Sequence, residues 1–119
     1  MNQERKAIWS KSNGHCWYCG TELKENNWHV DHFEPINRMG GKILNPERDT
    51  FENKVPACPP CNIMKTNMSI ESFRWLISNF VKRLNRDVTI YRHAKRYGLV
   101  KETGRSEERR VGKECRSRW

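Results

Sequence analysis

The chain has 119 residues, a formal net charge of +9, five cysteines and an apolar fraction of 35%. One domain is expected at that length, and the lean apolar content predicts a core supplemented by a staple such as a metal. No apolar run approaches the roughly 18–20 residues that span a bilayer, and the first residues, MNQERKAIW, lack an apolar signal segment.

An intracellular, cytoplasmic protein with no membrane association is therefore expected, and the basic excess points to a polyanionic partner. In chain order, residues 2–12 hold helix formers with Ala7, Ile8 and Trp9 as the apolar side, and Asn13-Gly14 ends them. Cys16 to Cys19 forms a tight knuckle. Trp28 to His32 reads as a strand centred on Val30. Residues 33–52, with Pro35, Gly40, Gly41 and Pro46, read as a loop of about twenty residues, a length that is often functional. Lys54-Val55 predicts a second strand that Pro56 soon ends. Pro59 and Pro60 suit the first turn of a helix, on which Asn62, Lys65 and Met68 fall at helical spacing. Ser69 is the expected N-cap of the next helix, with an apolar stripe of Ile70, Phe73, Ile77, Phe80, Val81 and Leu84. A further helix is expected over 88–97, ended by Gly98.

Residues 105–119 differ in kind. RSEERRVGKECRSRW has no apolar periodicity, and all fifteen residues match the in-frame translation of a widely used DNA sequencing adapter. The segment is read as an artefact and left out of fold reasoning, and the native frame is expected to continue beyond Gly104. It contains six basic and three acidic residues. The remainder keeps seventeen basic and eleven acidic residues, a charge of +6, and four cysteines.

Those four form one constellation, Cys16-x-x-Cys19 and Cys58-x-x-Cys61. Two knuckles of equal spacing present four thiolates to one ion, the pattern of a closed structural zinc site. Disulfide pairing fits poorly without a secretory signal, and a redox pair would leave the second pair unexplained. His15 and His29 are available as substitute ligands but are not needed.

A second constellation lies between the cysteine pairs: Asp31-His32, Asn53 and Asn62. Phosphodiester hydrolysis needs a base to activate water, a cation to offset charge on the phosphate and the leaving oxygen, and a group that holds the base in the right tautomer. Histidine suits the base, since its unperturbed pKa of about 6.5 lies near working pH. A hard divalent ion takes oxygen ligands, which Asp31 and the Asn62 amide can supply.

The ordered set Cys16, Cys19, Asp31-His32, Pro35, Gly40-Gly41, Asn53, Cys58, Cys61, Asn62 and Lys65 resembles the HNH endonuclease family, in the subgroup with four zinc-binding cysteines, over roughly residues 5–75. The last signature letter is Asn62 rather than His, as it is in the HNH domain of RNA-guided CRISPR nucleases, which also share the string NKVxxxxxxNxxK. The resemblance implies an α+β fold: a small zinc-stabilised ββα-metal (His-Me finger) core with flanking helices. It implies His32 as general base, Asp31 and Asn62 as ligands of a catalytic Mg²⁺ or Mn²⁺, Asn53 as support for the His32 ring, and Lys65 as a phosphate contact. The products expected of the family are a 5′-phosphate and a 3′-hydroxyl.

Residues 1–84 are thus expected to form the nuclease domain with its structural zinc, and 85–104 a basic C-terminal extension cut short by the tail. DNA is the expected partner, with Arg38, Lys42, Lys54 and Lys65 beside the site, together with Arg48. Lys82, Arg83, Arg86, Arg92, Lys95 and Arg96 form either a DNA-reading appendage or an exposed helix. Gly40-Gly41 serves either a positive-φ turn or a backbone approach to phosphate. His29 is a phosphate contact, a substitute ligand or neither. The alternative from another class is a noncatalytic zinc module that binds nucleic acid; it accepts the cysteines and the charge but leaves Asp31, His32 and Asn62 unexplained.

Overall fold

Helix α1 (Gln3–Ser10) starts where the Asn2 side chain accepts from the Arg5 N–H, satisfying one of the donors a first turn leaves open. The structure, a computed structural model, describes residues 1–103; the segment read as adapter-derived lies outside them. Ile8 is the buried anchor of α1. Asn13 and Gly14 follow at φ +50° and +76° and turn the chain back. Gly14 is required twice over, because a Cβ there would come within 2.7 Å of the Trp9 ring.

Strand β1 (His29–His32) pairs antiparallel with a strand over Lys54–Ala57, with His29 opposite Ala57 and His32 opposite Lys54. That second partner is longer than the sequence suggests, since Pro56 lies inside it. The Pro56 carbonyl accepts from the Trp17 N–H, so this residue's backbone polar groups face away from β1 and the missing N–H breaks no rung of the ladder. Between the two strands the expected loop is structured. It carries a small hairpin, β2 (Arg38–Met39) and β3 (Lys42–Ile43), then two 3₁₀ turns at Pro46–Arg48 and Phe51–Asn53, before β4 (Lys54–Ala57). Gly40 and Gly41 supply the two positive φ angles, +57° and +80°, that a two-residue hairpin turn needs.

Helix α2 (Pro59–Lys65) follows β4 directly, with Cys58 at its N-cap position and Pro59 and Pro60 in its first turn. It packs on β1, completing a β-β-α unit. Helix α3 (Ile70–Ser78) begins at Ser69, whose hydroxyl accepts from the Ser72 N–H. The apolar stripe does not make one helix to Leu84. The chain breaks at Asn79, whose amide donates to the Trp75 carbonyl, and restarts as α4 (Phe80–Asp87). Helix α5 (Thr89–Arg96) packs against α4 and ends at Gly98, φ +74°. Leu84 lies within α4, and the turns around that helix are at Asn79 and Val88.

The core gathers Ile8, Tyr18, Leu23, Trp28, Val55, Ala57, Ile70 and Phe73 around the cysteines. Tyr18 meets Phe73 edge-on, with ring centroids 5.4 Å apart, and stacks on Phe33 at 6.4 Å. The architecture is α+β, a two-stranded sheet backed by α2 with helices on either side. No helix among the described residues is long and apolar enough to cross a membrane.

Candidate active site and metal centres

The first knuckle is shaped by its own backbone. The Gly20 N–H returns to the Cys16 carbonyl, the Cys16 N–H reaches Thr21, and the Tyr18 N–H points at the Cys16 sulfur. Helix α2 supplies the second pair, Cys58 at its start and Cys61 one turn on. All four Sγ atoms lie within 4.8 Å of one another. Cys19 and Cys58 are 3.8 Å apart, about the edge of a tetrahedron around an ion with bonds of about 2.3 Å to sulfur, and far beyond a disulfide bond of about 2.05 Å. Hydrogen bonds from the Cys19 and Cys61 thiols pull the Cys16 thiol strongly down, and that thiolate holds both neighbours up, Cys19 to about 12. A cluster that favours one thiolate and resists ionisation of Cys19 and Cys61 beside it is suited to a divalent cation. Among the described residues it is the only group of three or more His, Cys, Asp or Glu side chains converging on one point.

The second site is built on the face of β1 that α2 covers. His29 and Asp31 project from alternate positions of the strand, and Asn62 and Lys65, three residues apart on the helix, meet them. The Asn62 amide nitrogen lies 2.8 Å from His29 Nδ1. The Lys65 ammonium lies 3.2 Å from Asp31 Oδ2 and donates to the His32 carbonyl at 3.0 Å. Asp31 is 8% exposed and Lys65 0%, so this is a buried ion pair. Tyr18 adds a third partner, its hydroxyl donating to the same Oδ2. Burial and the adjacent Asp31 push Tyr18 far above the usual phenol range, which keeps it a donor.

The His32 ring points elsewhere, with Nε2 2.9 Å from Asp49 Oδ1. The hydrogen bond to His32 is the main reason Asp49 lies below the usual carboxylate range. Asp31 and His32 line an open cleft of about 350 Å³ with Pro35, Ile36, Asn37, Arg38, Thr66 and Asn67.

Several expected roles shift. The Asn53 side chain bonds backbone groups and not the His32 ring. Its Oδ1 accepts from the Glu34 N–H, and its Nδ2 donates to the carbonyls of Glu34 and Arg48, so it ties the backbone at Glu34 to that at Arg48, the residue before the ring's partner, Asp49. Lys65 is an internal counter-charge for Asp31 and not a surface group held out to phosphate. Lys54 is committed to Glu4 at 2.8 Å, with Asp49 at 3.7 Å, and Arg48 donates to the Pro35 carbonyl. Arg38 and Lys42 stand exposed on the hairpin. Asp31 and Asn62 share one face but oppose different partners. Each keeps an amide or carboxylate oxygen, Oδ1, outside these bonds, the type of donor a hard cation takes. Sequence reasoning missed Asp49, Tyr18, Thr66 and Asn67. Thr66 carried a signal only in space: it is a β-branched residue at φ +50°, an uncommon conformation, on the cleft wall.

The structure thus joins a β-β-α unit to a four-thiol cluster and sets a strand-end histidine next to a buried carboxylate. The HNH endonuclease family model matches residues 16–68, from the first cysteine to just beyond α2, a little under half of the chain. Among solved structures, it is similar to the crystal structure of the Type II-C Cas9 enzyme from Actinomyces naeslundii, at 21% identity and a TM-score of 0.45, over 98% of this chain and 11% of that one. No curated protein matches.

Proposed function

We propose that the chain is a metal-dependent DNA endonuclease that hydrolyses phosphodiester bonds, with His32 as general base. The observation that carries this reading is the His32–Asp49 pair, 2.9 Å long, at the cleft that also presents Asp31. Asp49 engages Nε2 and holds the ring, which leaves Nδ1 to take the proton of an attacking water. Asp31 and Asn62 would hold a divalent cation such as Mg²⁺ or Mn²⁺ through their Oδ1 atoms. Bound there, it offsets charge on the phosphate and on the leaving 3′-oxygen. Cys16, Cys19, Cys58 and Cys61 hold a structural Zn²⁺. Arg38 and Lys42 contact DNA phosphates from the hairpin, positioning the duplex without reading sequence. The family's resemblance adds the products, a 5′-phosphate and a 3′-hydroxyl.

The test is cleavage of supercoiled plasmid by the full chain with Mg²⁺ or Mn²⁺, beside His32→Ala. The expected result is relaxed or linear product from the wild type and at least about a 100-fold loss in the variant. If both proteins bind DNA and neither cuts it with any divalent ion, the noncatalytic zinc module replaces this reading.

A further inference from the structure

Asp31 is held from two sides by groups that each belong to one half of the cysteine cluster. Tyr18 stands between Cys16 and Cys19, and its hydroxyl donates to Asp31 Oδ2 at 2.5 Å. Lys65 follows Cys61 by one helical turn of α2, and its ammonium lies 3.2 Å from the same oxygen. Tyr18 is 1% exposed and Lys65 0%. The Tyr18 ring cannot swing away, since Phe33 and Phe73 pack against it. The knuckle cannot drift either, since the Trp17 N–H is bonded to Pro56 of β4, the strand that pairs Val55 with Asp31. Two donors on one carboxylate oxygen stop rotation about the Cβ–Cγ bond and leave the other oxygen in a fixed direction.

We propose that Tyr18 is a positioning residue: its hydroxyl ties the cysteine cluster to Asp31 and fixes the carboxylate so that Oδ1 is presented to a divalent cation. The inference rests on the metal-dependent reading above. It gives the first knuckle a second task. Besides contributing two thiols to one ion, it carries the group that orients a ligand of another, as outer-shell partners of metal ligands do.

The experiment uses the full chain with its cysteine site loaded with zinc, and titrates Mn²⁺ while following the free-ion signal by electron paramagnetic resonance. Tyr18→Phe keeps the ring and its packing and deletes only the hydroxyl. Zinc content is expected at the wild-type value with thermal unfolding only modestly lower, and the Mn²⁺ dissociation constant is expected to rise about 10-fold. In an Asp31→Asn background the same substitution should add nothing. Unchanged Mn²⁺ affinity in Tyr18→Phe, or an equal loss with and without Asp31, overturns the proposal. A Tyr18→Phe chain that loses zinc or unfolds also overturns it, because the hydroxyl would then belong to the fold. If Asp31→Asn alone leaves Mn²⁺ affinity at the wild-type value, the cation site itself fails and the proposal goes with it. If Asp31→Asn abolishes binding and Tyr18→Phe does not touch it, only the role of Tyr18 falls.

Discussion

His32 and Asp49 are seventeen residues apart in the chain and 2.9 Å apart in space. Asp49 sits between two 3₁₀ turns, held there because Asn53 grips the carbonyl of the preceding residue, Arg48. Its bond to His32 holds the Asp49 carboxyl below the usual carboxylate range. In the proposed function it supports a proton on Nε2 and leaves Nδ1 as the base.

Asp49→Ala should reduce plasmid cleavage about 10- to 100-fold without changing zinc content, the scale typical when a partner that orients a functional side chain is removed. Single-turnover cleavage at saturating Mn²⁺ reads it. A full-rate variant would show that the ring is positioned by something else.

Asn53→Ala should act through stability. It leaves the Glu34 N–H and the carbonyls of Glu34 and Arg48 without the partners they have now. A loss of about 2 kcal/mol or more in urea unfolding is expected, with cleavage reduced in step because Asp49 is no longer held. Wild-type stability would contradict the clamp.

Gly14→Ala tests the turn after α1. The substitution puts a side chain at φ +76° and drives its Cβ to 2.7 Å from Trp9. Together these should cost about 2–4 kcal/mol in thermal or denaturant unfolding.

Cys58→Ser should lose zinc and fold together. Cys16, Cys58 and Cys61 lie in the buried core, and removing one ligand leaves the other three without the cation that lets them ionise side by side. Zinc content and circular dichroism measured on one sample check this; a folded, zinc-free variant would refute it.

Glu102 gives a pH dependence with a definite sign. Hydrogen bonds from Asn85, Lys95 and Tyr91 bring its carboxyl down to about 2 from an ordinary 4.5. A group lowered by folding stabilises the folded state fully above its unfolded pKa and loses that effect as pH falls through the folded value. The seating of residue 102 on α4 and α5 should thus be firm above pH 4.5 and weaken progressively toward pH 2. Hydrogen exchange of α5 amides in wild type and Glu102→Gln measures it, and the variant should lack this dependence.

Local rules carried the sequence a long way. The Asn13-Gly14 stop, the paired knuckles, the proline-led start of α2 and the Ser69 cap were all legible, because each depends on neighbours in the chain. So was the pairing of β1 with β4, through the two metal-ligand pairs that must converge. What stayed hidden was long-range. Nothing around Asp49 marks it as a partner of His32, and Lys65 reads as a surface cation until the Asp31 carboxylate is seen above it. The break at Asn79 was masked because the apolar stripe continues across it. Pro56 misled because the sequence does not say which side of a strand its missing N–H faces.

Asn53 joins the two feet of the loop that runs from Glu34 to Arg48 and beyond. Everything farther out, including the Gly40-Gly41 tip, hangs from that joint, and a Cβ at either glycine would meet no atom within 4 Å. Along the chain, that joint stands between the tip and the His32–Asp49 pair. The tip is the place where this scaffold can accept new lengths and new side chains, and so acquire a different substrate preference, without disturbing the chemistry at its base.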